Sequence, residues 1–92
     1  MIEKEIRIIN KLGLHVRAAT KLVQLASEFE SDITICNEDQ QADAKSIMEV
    51  LMLAAIYDSV VTLKVSGETE TEEQKVIDKI SSLFENKFDE HE

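Results

Sequence analysis

The stretch Asn10-Lys11-Leu12-Gly13-Leu14-His15-Val16-Arg17-Ala18-Ala19 sets a histidine where a glycine-containing turn gives way to helical spacing, with an arginine two residues later. That place has specific chemistry. The first backbone N–H groups of a helix have no partner inside it and carry the positive end of its dipole. A dianionic phosphoryl group on the His15 ring would find those donors ready, chiefly at Val16 and Arg17. The Arg17 guanidinium can add a charge-assisted contact. The same positive surroundings favour the neutral, nucleophilic ring over the imidazolium, which would be an activated nucleophile without a separate base. A lone histidine beside a helix start is also a common surface residue, so the spacing by itself leaves a local hydrogen-bonding role open. The second histidine, His91, stands among acidic residues with no company that suggests chemistry. No His, Cys or carboxylate cluster has metal-ligand spacing, and no glycine-rich loop could cradle a nucleotide.

The elements that must hold His15 follow from periodicity. Ile2, Ile6 and Ile8 share one side of an extended segment, with Glu3, Glu5 and Arg7 on the other and Lys4 as the one break in the alternation. Asn10 to Leu14 forms a turn around Gly13. Ala19, Leu22, Val23 and Ala26 then recur at helical spacing, which predicts a helix from about Val16 to about Glu28. Ile33 and Ile35 alternate with Asp32 and Thr34 in a second strand, and Gln41 to Ala44 suits a short third. Ser46 to Ala55 is helical, but its apolar residues surround the axis, so some must be deeply buried or shown to a partner. Val60 to Val65 reads as the fourth strand, ending at Ser66-Gly67. Thr69 with Glu72 fits a capping box for the last helix, and Thr71 with Gln74 is an alternative start. The order βαββαβα predicts an α+β layer, a mainly antiparallel sheet with helices on one face.

Composition narrows the class. Ninety-two residues suffice for one domain, and 43% apolar residues allow a core, though an aliphatic one, since there are three Phe, one Tyr and no Trp. Nineteen acidic against ten basic side chains give a formal charge of −9, which opposes binding to nucleic acid and to anionic membranes. The single cysteine, Cys36, can make no internal disulfide and by default is a buried, inert thiol; a reducing cytoplasm fits. No leader and no apolar run long enough to span a bilayer is visible, so the expectation is a soluble cytoplasmic protein. The acidic end, residues 89–92, is expected to be a solvated, fraying tail after a single domain over residues 1–88.

Asn10 and Gly13-Leu14-His15-Val16-Arg17 together resemble the active-site signature of HPr, the histidine-containing phosphocarrier of the bacterial phosphotransferase system. Ala44-Lys45-Ser46-Ile47-Met48 resembles that family's regulatory-serine segment, at matching separation from the histidine. The resemblance covers about residues 2 to 85. It implies an open-faced β-sandwich: a four-stranded, mainly antiparallel sheet covered on one face by three helices. It also implies that His15 takes a phosphoryl group, as pros-phosphohistidine, from phosphorylated enzyme I and passes it to an EIIA-type domain in sugar uptake. Arg17 would steady that group, with backbone N–H groups of Val16 and Arg17 beneath it. Ile47, Met48 and Leu51, with Thr20 and Lys21, would dock both partners. Ser46 would be the target of HPr kinase. On this reading the protein is a stoichiometric carrier rather than an enzyme and needs no cofactor or metal; small size and the absence of a long exposed seam favour a monomer.

The chain departs from the family pattern at Val16 and Ala18, where alanine and proline are usual, and at Glu49, where glycine is common. Ala18 is a good helix former, so the helix is expected to survive. Ser46-Ile47-Met48-Glu49 spells a capping box, with Ser46 capping the helix while Glu49 reaches back to the Ser46 amide. That gives Ser46 a structural task, and a phosphate on it would meet the Glu49 charge. These departures raise two alternatives: a regulatory, nitrogen-type branch of the same system, and a docking module that works without phosphotransfer.

Overall fold

The computed structural model of the chain describes residues 1–90. Strand β1 (Ile2–Arg7) is followed by helix α1 (Val16–Ala26), strands β2 (Asp32–Asn37) and β3 (Gln40–Asp43), helix α2 (Ile47–Met52), strand β4 (Val60–Ser66) and helix α3 (Glu70–Glu85). A three-residue helical turn, Lys87–Asp89, closes the described chain. The strands form one sheet in the order β1-β4-β2-β3, antiparallel throughout. Val65 lies opposite Ile2 on one side and Ile33 on the other, while Leu63 pairs with Ile35.

This register puts most of the aliphatic residues of the strands on one face. Ile6, Ile33, Ile35, Ala42, Val61, Leu63 and Val65 are buried there under Ala19, Leu22 and Ala26 of α1, Val50 of α2, and Val76, Ile77, Ile80 and Phe84 of α3. The opposite face carries Glu3, Glu5, Thr34, Thr62 and Lys64 and, among the described residues, has no helix over it, which makes the molecule the open-faced α+β sandwich expected of the βαββαβα order. Burying each such aliphatic side chain contributes about 1.5–3 kcal/mol. Cys36 belongs to the open face: its strand position alternates with buried Ile35, and it lies half-buried opposite Thr62. The expectation of a fully buried thiol was therefore wrong, because strand alternation turns it away from the core.

The ends of α2 and α3 follow the cap chemistry. Thr69, not Thr71, caps α3, its Oγ1 accepting from the Glu72 N–H at 3.1 Å. Ser46 caps α2, accepting from the Glu49 N–H at 3.3 Å. The reciprocal half of that box does not form. The Ser46 N–H donates to the Asp43 carbonyl (3.0 Å), so Glu49 turns instead to the Asp43 N–H, at 3.0 Å. Glu73, on the first turn of α3, is buried rather than solvated. It accepts from the Gly67 N–H at 2.9 Å and pairs with the Met1 amino group at 3.1 Å. The Gly67 hydrogen bond is the main reason its carboxyl is held below the ordinary glutamate value, helped by the amino group against the opposing effect of burial.

Candidate functional site

The loop between β1 and α1 is built to a narrow specification. Gly13 has φ +66°, and a Cβ there would stand 2.6 Å from the Ala55 carbonyl oxygen, so no larger residue fits without moving backbone. Leu14, the next residue, is buried and donates its N–H to that same oxygen at 3.0 Å. Asn10 is fully buried and donates its side-chain amide to the Gly13 carbonyl at 2.8 Å. The turn is thereby tied across to the segment that follows α2, and the residue after it emerges at a defined place.

That residue is His15, the N-cap of α1. Its backbone is extended (φ −83°, ψ −178°), its carbonyl accepts from the Ala19 N–H at 2.8 Å, and its Nδ1 accepts from the Arg17 N–H at 3.3 Å. A histidine thus fills the capping position that Ser, Thr, Asp or Asn usually takes. Val16, at the first helical position, is well exposed, and Thr20 bonds its hydroxyl to the Val16 carbonyl at 2.7 Å. Among the described residues the Arg17 side chain makes no hydrogen bond or ion pair, so the exposed guanidinium is free to meet an anion. Ala18 is buried and the helix begins at Val16 without a proline.

The other ring nitrogen shows what sequence spacing could not. His15 Nε2 is hydrogen-bonded to the carboxylate of Glu90, whose second oxygen accepts from the Asn10 amide at 3.0 Å. The Glu90 side chain is only 8% exposed and that of His15 28%. Burial alone would raise the Glu90 pKa, but the hydrogen bonds from Asn10 and His15, with the Arg17 charge nearby, outweigh it and hold it below the ordinary value. The Arg17 backbone N–H can only donate, so the lone pair lies on Nδ1, at the helix N-terminus, and Nε2 carries the proton that the carboxylate accepts. The ring's surroundings are therefore not only positive, as the sequence implied.

Glu90 reaches the ring because the chain turns sharply after α3. Lys87, Phe88 and Asp89 all have positive φ (54°, 54° and 64°), a conformation costing roughly 1–2 kcal/mol for each non-glycine residue. Packing offsets this: Phe88 is fully buried, its ring edge-on to Phe84 at 4.8 Å between centroids. Lys21 donates to the Phe88 carbonyl at 2.7 Å and lies 3.6 Å from Asp89. The described part of the acidic end thus packs against α1 instead of fraying. His91 lies outside the described residues.

Of the residues expected to dock partners, Met48 is 72% exposed and Ile47 is also open, while Leu51 is partly buried against the core. Met52, one turn after Met48, is 71% exposed and joins the same patch, with Leu12 and Val16 as further exposed apolar side chains. The i,i+4 spacing of Met48 and Met52 places both on one side of α2 and is the sequence signal for this extension of the patch. Lys21 is engaged by the C-terminal turn, and Lys45 donates to the Phe29 carbonyl at 2.7 Å, so neither ammonium is unoccupied. A surface cleft of about 500 Å³ is lined by Asn37, Glu38, Gln40, Met52 and Ile56 among others and does not include His15. A histidine with its Nδ1 lone pair at the helix N–H groups and an exposed arginine beside it on an open surface suits transfer between proteins better than a small-molecule reaction.

Comparison with known proteins agrees. The family model described as "PTS HPr component phosphorylation site" matches residues 2–86. The chain belongs to the HPr family. It is 47% identical to the phosphocarrier protein HPr of Cupriavidus necator over the full length of both chains. It is 43% identical to the phosphocarrier protein NPr of Shewanella violacea, covering 97% of this chain and 94% of that one. Among solved structures, an HPr from Thermoanaerobacter tengcongensis superposes with a TM-score of 0.92 at 38% identity, covering all of both chains. These likenesses fix the general role, that of a phosphocarrier protein of the bacterial phosphotransferase system, and the HPr fold. Among the described residues no helix is long and apolar enough to cross a membrane.

Proposed function

We propose that His15 Nδ1 accepts a phosphoryl group from phosphorylated enzyme I, the phosphoenolpyruvate-charged donor of this system, and passes it to an EIIA-type domain serving sugar uptake. The observation that carries this reading is the placement of Nδ1, its lone pair toward the first-turn N–H groups, at the N-terminus of α1 beside Arg17. In the transfer the Nδ1 lone pair forms an N–P bond while the donor histidine's bond to phosphorus breaks and its electrons return to the donor ring. The Arg17 N–H, which now donates to Nδ1, and its neighbours in the first turn are freed for the phosphoryl oxygens, and the Arg17 guanidinium supplies a charge-assisted contact. No bond to oxygen is hydrolysed and nothing is turned over, so the protein acts as a carrier rather than an enzyme, without cofactor or metal.

Docking is assigned to the apolar patch of Ile47, Met48 and Leu51, extended by Met52, with Thr20 and Lys21 at its edge. Ser46, half-buried at the start of α2, is the residue an HPr kinase would modify, although Glu49 stands beside it. The protein acts as a cytoplasmic monomer. The regulatory, nitrogen-type branch is the second reading, favoured by the likeness to an NPr. Phosphorylated protein, separated from enzyme I, should discharge onto a sugar-type EIIA domain at least tenfold faster than onto a nitrogen-type one. The reverse preference would transfer the assignment to the regulatory branch.

A further inference from the structure

The C-terminal turn and its contact with the ring lie beyond residue 86, where the match to the family model ends, and nothing in the phosphocarrier chemistry above requires them. Yet the contact is constructed from several sides. Three consecutive residues in left-handed backbone aim Glu90 at the ring, buried Phe88 anchors the turn on Phe84, and Lys21 clamps it to α1. At the far end Asn10, itself held in the His15 loop, orients the carboxylate. The carboxylate meets Nε2, on the side of the ring away from the nitrogen that faces the helix N-terminus. It therefore does not occupy the place of a phosphoryl group.

We infer that Glu90 is a positioning residue for phosphoryl transfer: its carboxylate holds the proton on Nε2, keeps the lone pair on Nδ1, and stabilises the ring charge that develops when Nδ1 bonds phosphorus. The balance is simple. As the N–P bond forms, Nδ1 gives up its lone pair and the Nε2 proton stays in place, so the ring becomes cationic while it carries the phosphoryl group. A carboxylate hydrogen-bonded to Nε2–H lies directly against the cationic ring on the side away from the phosphoryl group. The arrangement is that of a histidine whose orientation and tautomer are set by the partner of its other nitrogen. This inference rests on the phosphocarrier reading for its consequence but not for its geometry.

The test joins a spectroscopic and a kinetic arm on the full chain and on Glu90→Gln, Glu90→Ala and Glu90→Asp, each checked for unchanged thermal melting. In nitrogen-15 spectra of the unphosphorylated protein at mildly alkaline pH, His15 should show Nδ1 as the unprotonated nitrogen and Nε2 as the protonated one. An Nε2 proton protected from exchange should be visible. In Glu90→Gln and Glu90→Ala that proton should be lost and the two nitrogens should move toward averaged positions. The rate of phosphoryl transfer at saturating phosphorylated enzyme I should fall about tenfold, with half-saturation little changed, and Glu90→Asp should recover part of it. An unchanged ring spectrum in the Gln and Ala variants, or an altered spectrum with an unchanged rate, would overturn the inference. So would faster transfer in Glu90→Gln, which would make the carboxylate a brake. If the wild-type protein accepts no phosphoryl group at all, the phosphocarrier reading fails, while the spectra still decide whether Glu90 holds the ring.

Discussion

Replacing Gly13 by alanine tests whether the loop before His15 is as narrowly specified as its contacts imply. Three contributions can be worked from the structure. Alanine at φ +66° carries roughly 1–2 kcal/mol of backbone strain. Its methyl would stand 2.6 Å from the Ala55 oxygen and 3.0 Å from the Ile56 Cα, both backbone atoms, so a segment must move rather than a side chain rotate. The movement stretches the Leu14 N–H bond to the same oxygen, a buried bond whose loss costs about 1–3 kcal/mol. Lower unfolded-state entropy returns roughly 0.4–1 kcal/mol. The net expectation is a loss of about 3 kcal/mol, or about 12–24 °C in melting temperature for a domain of this size. Gly67 supplies the contrast, since an added Cβ there meets the Ser31 hydroxyl at 2.6 Å, a group that can swing aside, on a backbone open to any residue. Gly67→Ala should cost no more than about 1 kcal/mol. Urea unfolding of both variants, with midpoints compared at a common slope, separates them. A Gly13→Ala protein within about 0.5 kcal/mol of wild type, or one no worse than Gly67→Ala, would refute the reasoning.

Three further outcomes are expected. Phe88→Ala removes a fully buried ring from its contact with Phe84 and should cost about 3 kcal/mol in unfolding free energy; it should also release Glu90, giving His15 ring spectra like those of Glu90→Ala. Ser46→Ala should lower stability by about 0.5–1 kcal/mol, the lower part of the range for a cap because the bond is long at 3.3 Å; no loss would remove the structural role given to this serine. Glu73 has its folded pKa below the ordinary value of 4.5, so its stabilisation is complete above about that pH and is lost as pH falls through the lower, folded value. Unfolding curves at pH 7, 4.5 and 3 should therefore fall less steeply for Glu73→Gln than for wild type, and parallel falls would contradict that account.

Much of this molecule can be read from local pattern. The alternation of Ile33 and Ile35, and of Val61, Leu63 and Val65, marks strands with one buried face, and the spacing of Ala19, Leu22 and Ala26 marks the inner side of α1. The helix starts at Ser46 and Thr69 were legible from cap chemistry, because a cap acts within three residues of sequence. What escaped depends on contacts distant along the chain. Glu90 is 75 residues from His15, and the turn that delivers it uses Lys, Phe and Asp in left-handed backbone with no glycine to announce it. Glu73 looks like one more acid on an acidic first turn until the Gly67 amide and the amino terminus are found beside it. Glu49 carries the right letter for a capping box, but a competing carbonyl at Asp43 takes the amide it would have met. The acidic end illustrates the general point. Composition predicts solvation for a run of carboxylates, and only the tertiary fold shows that one of them has a histidine to bind.

The measurement that tests the central claim most directly is the intact mass of the protein after incubation with active enzyme I and phosphoenolpyruvate, alongside a His15→Ala variant shown to be folded. One acid-labile phosphoryl group per chain, absent from the variant, is the predicted result. A wild-type chain that stays unmodified beside a cognate enzyme I that charges a control carrier, or a variant that is phosphorylated as fully as wild type, would contradict it.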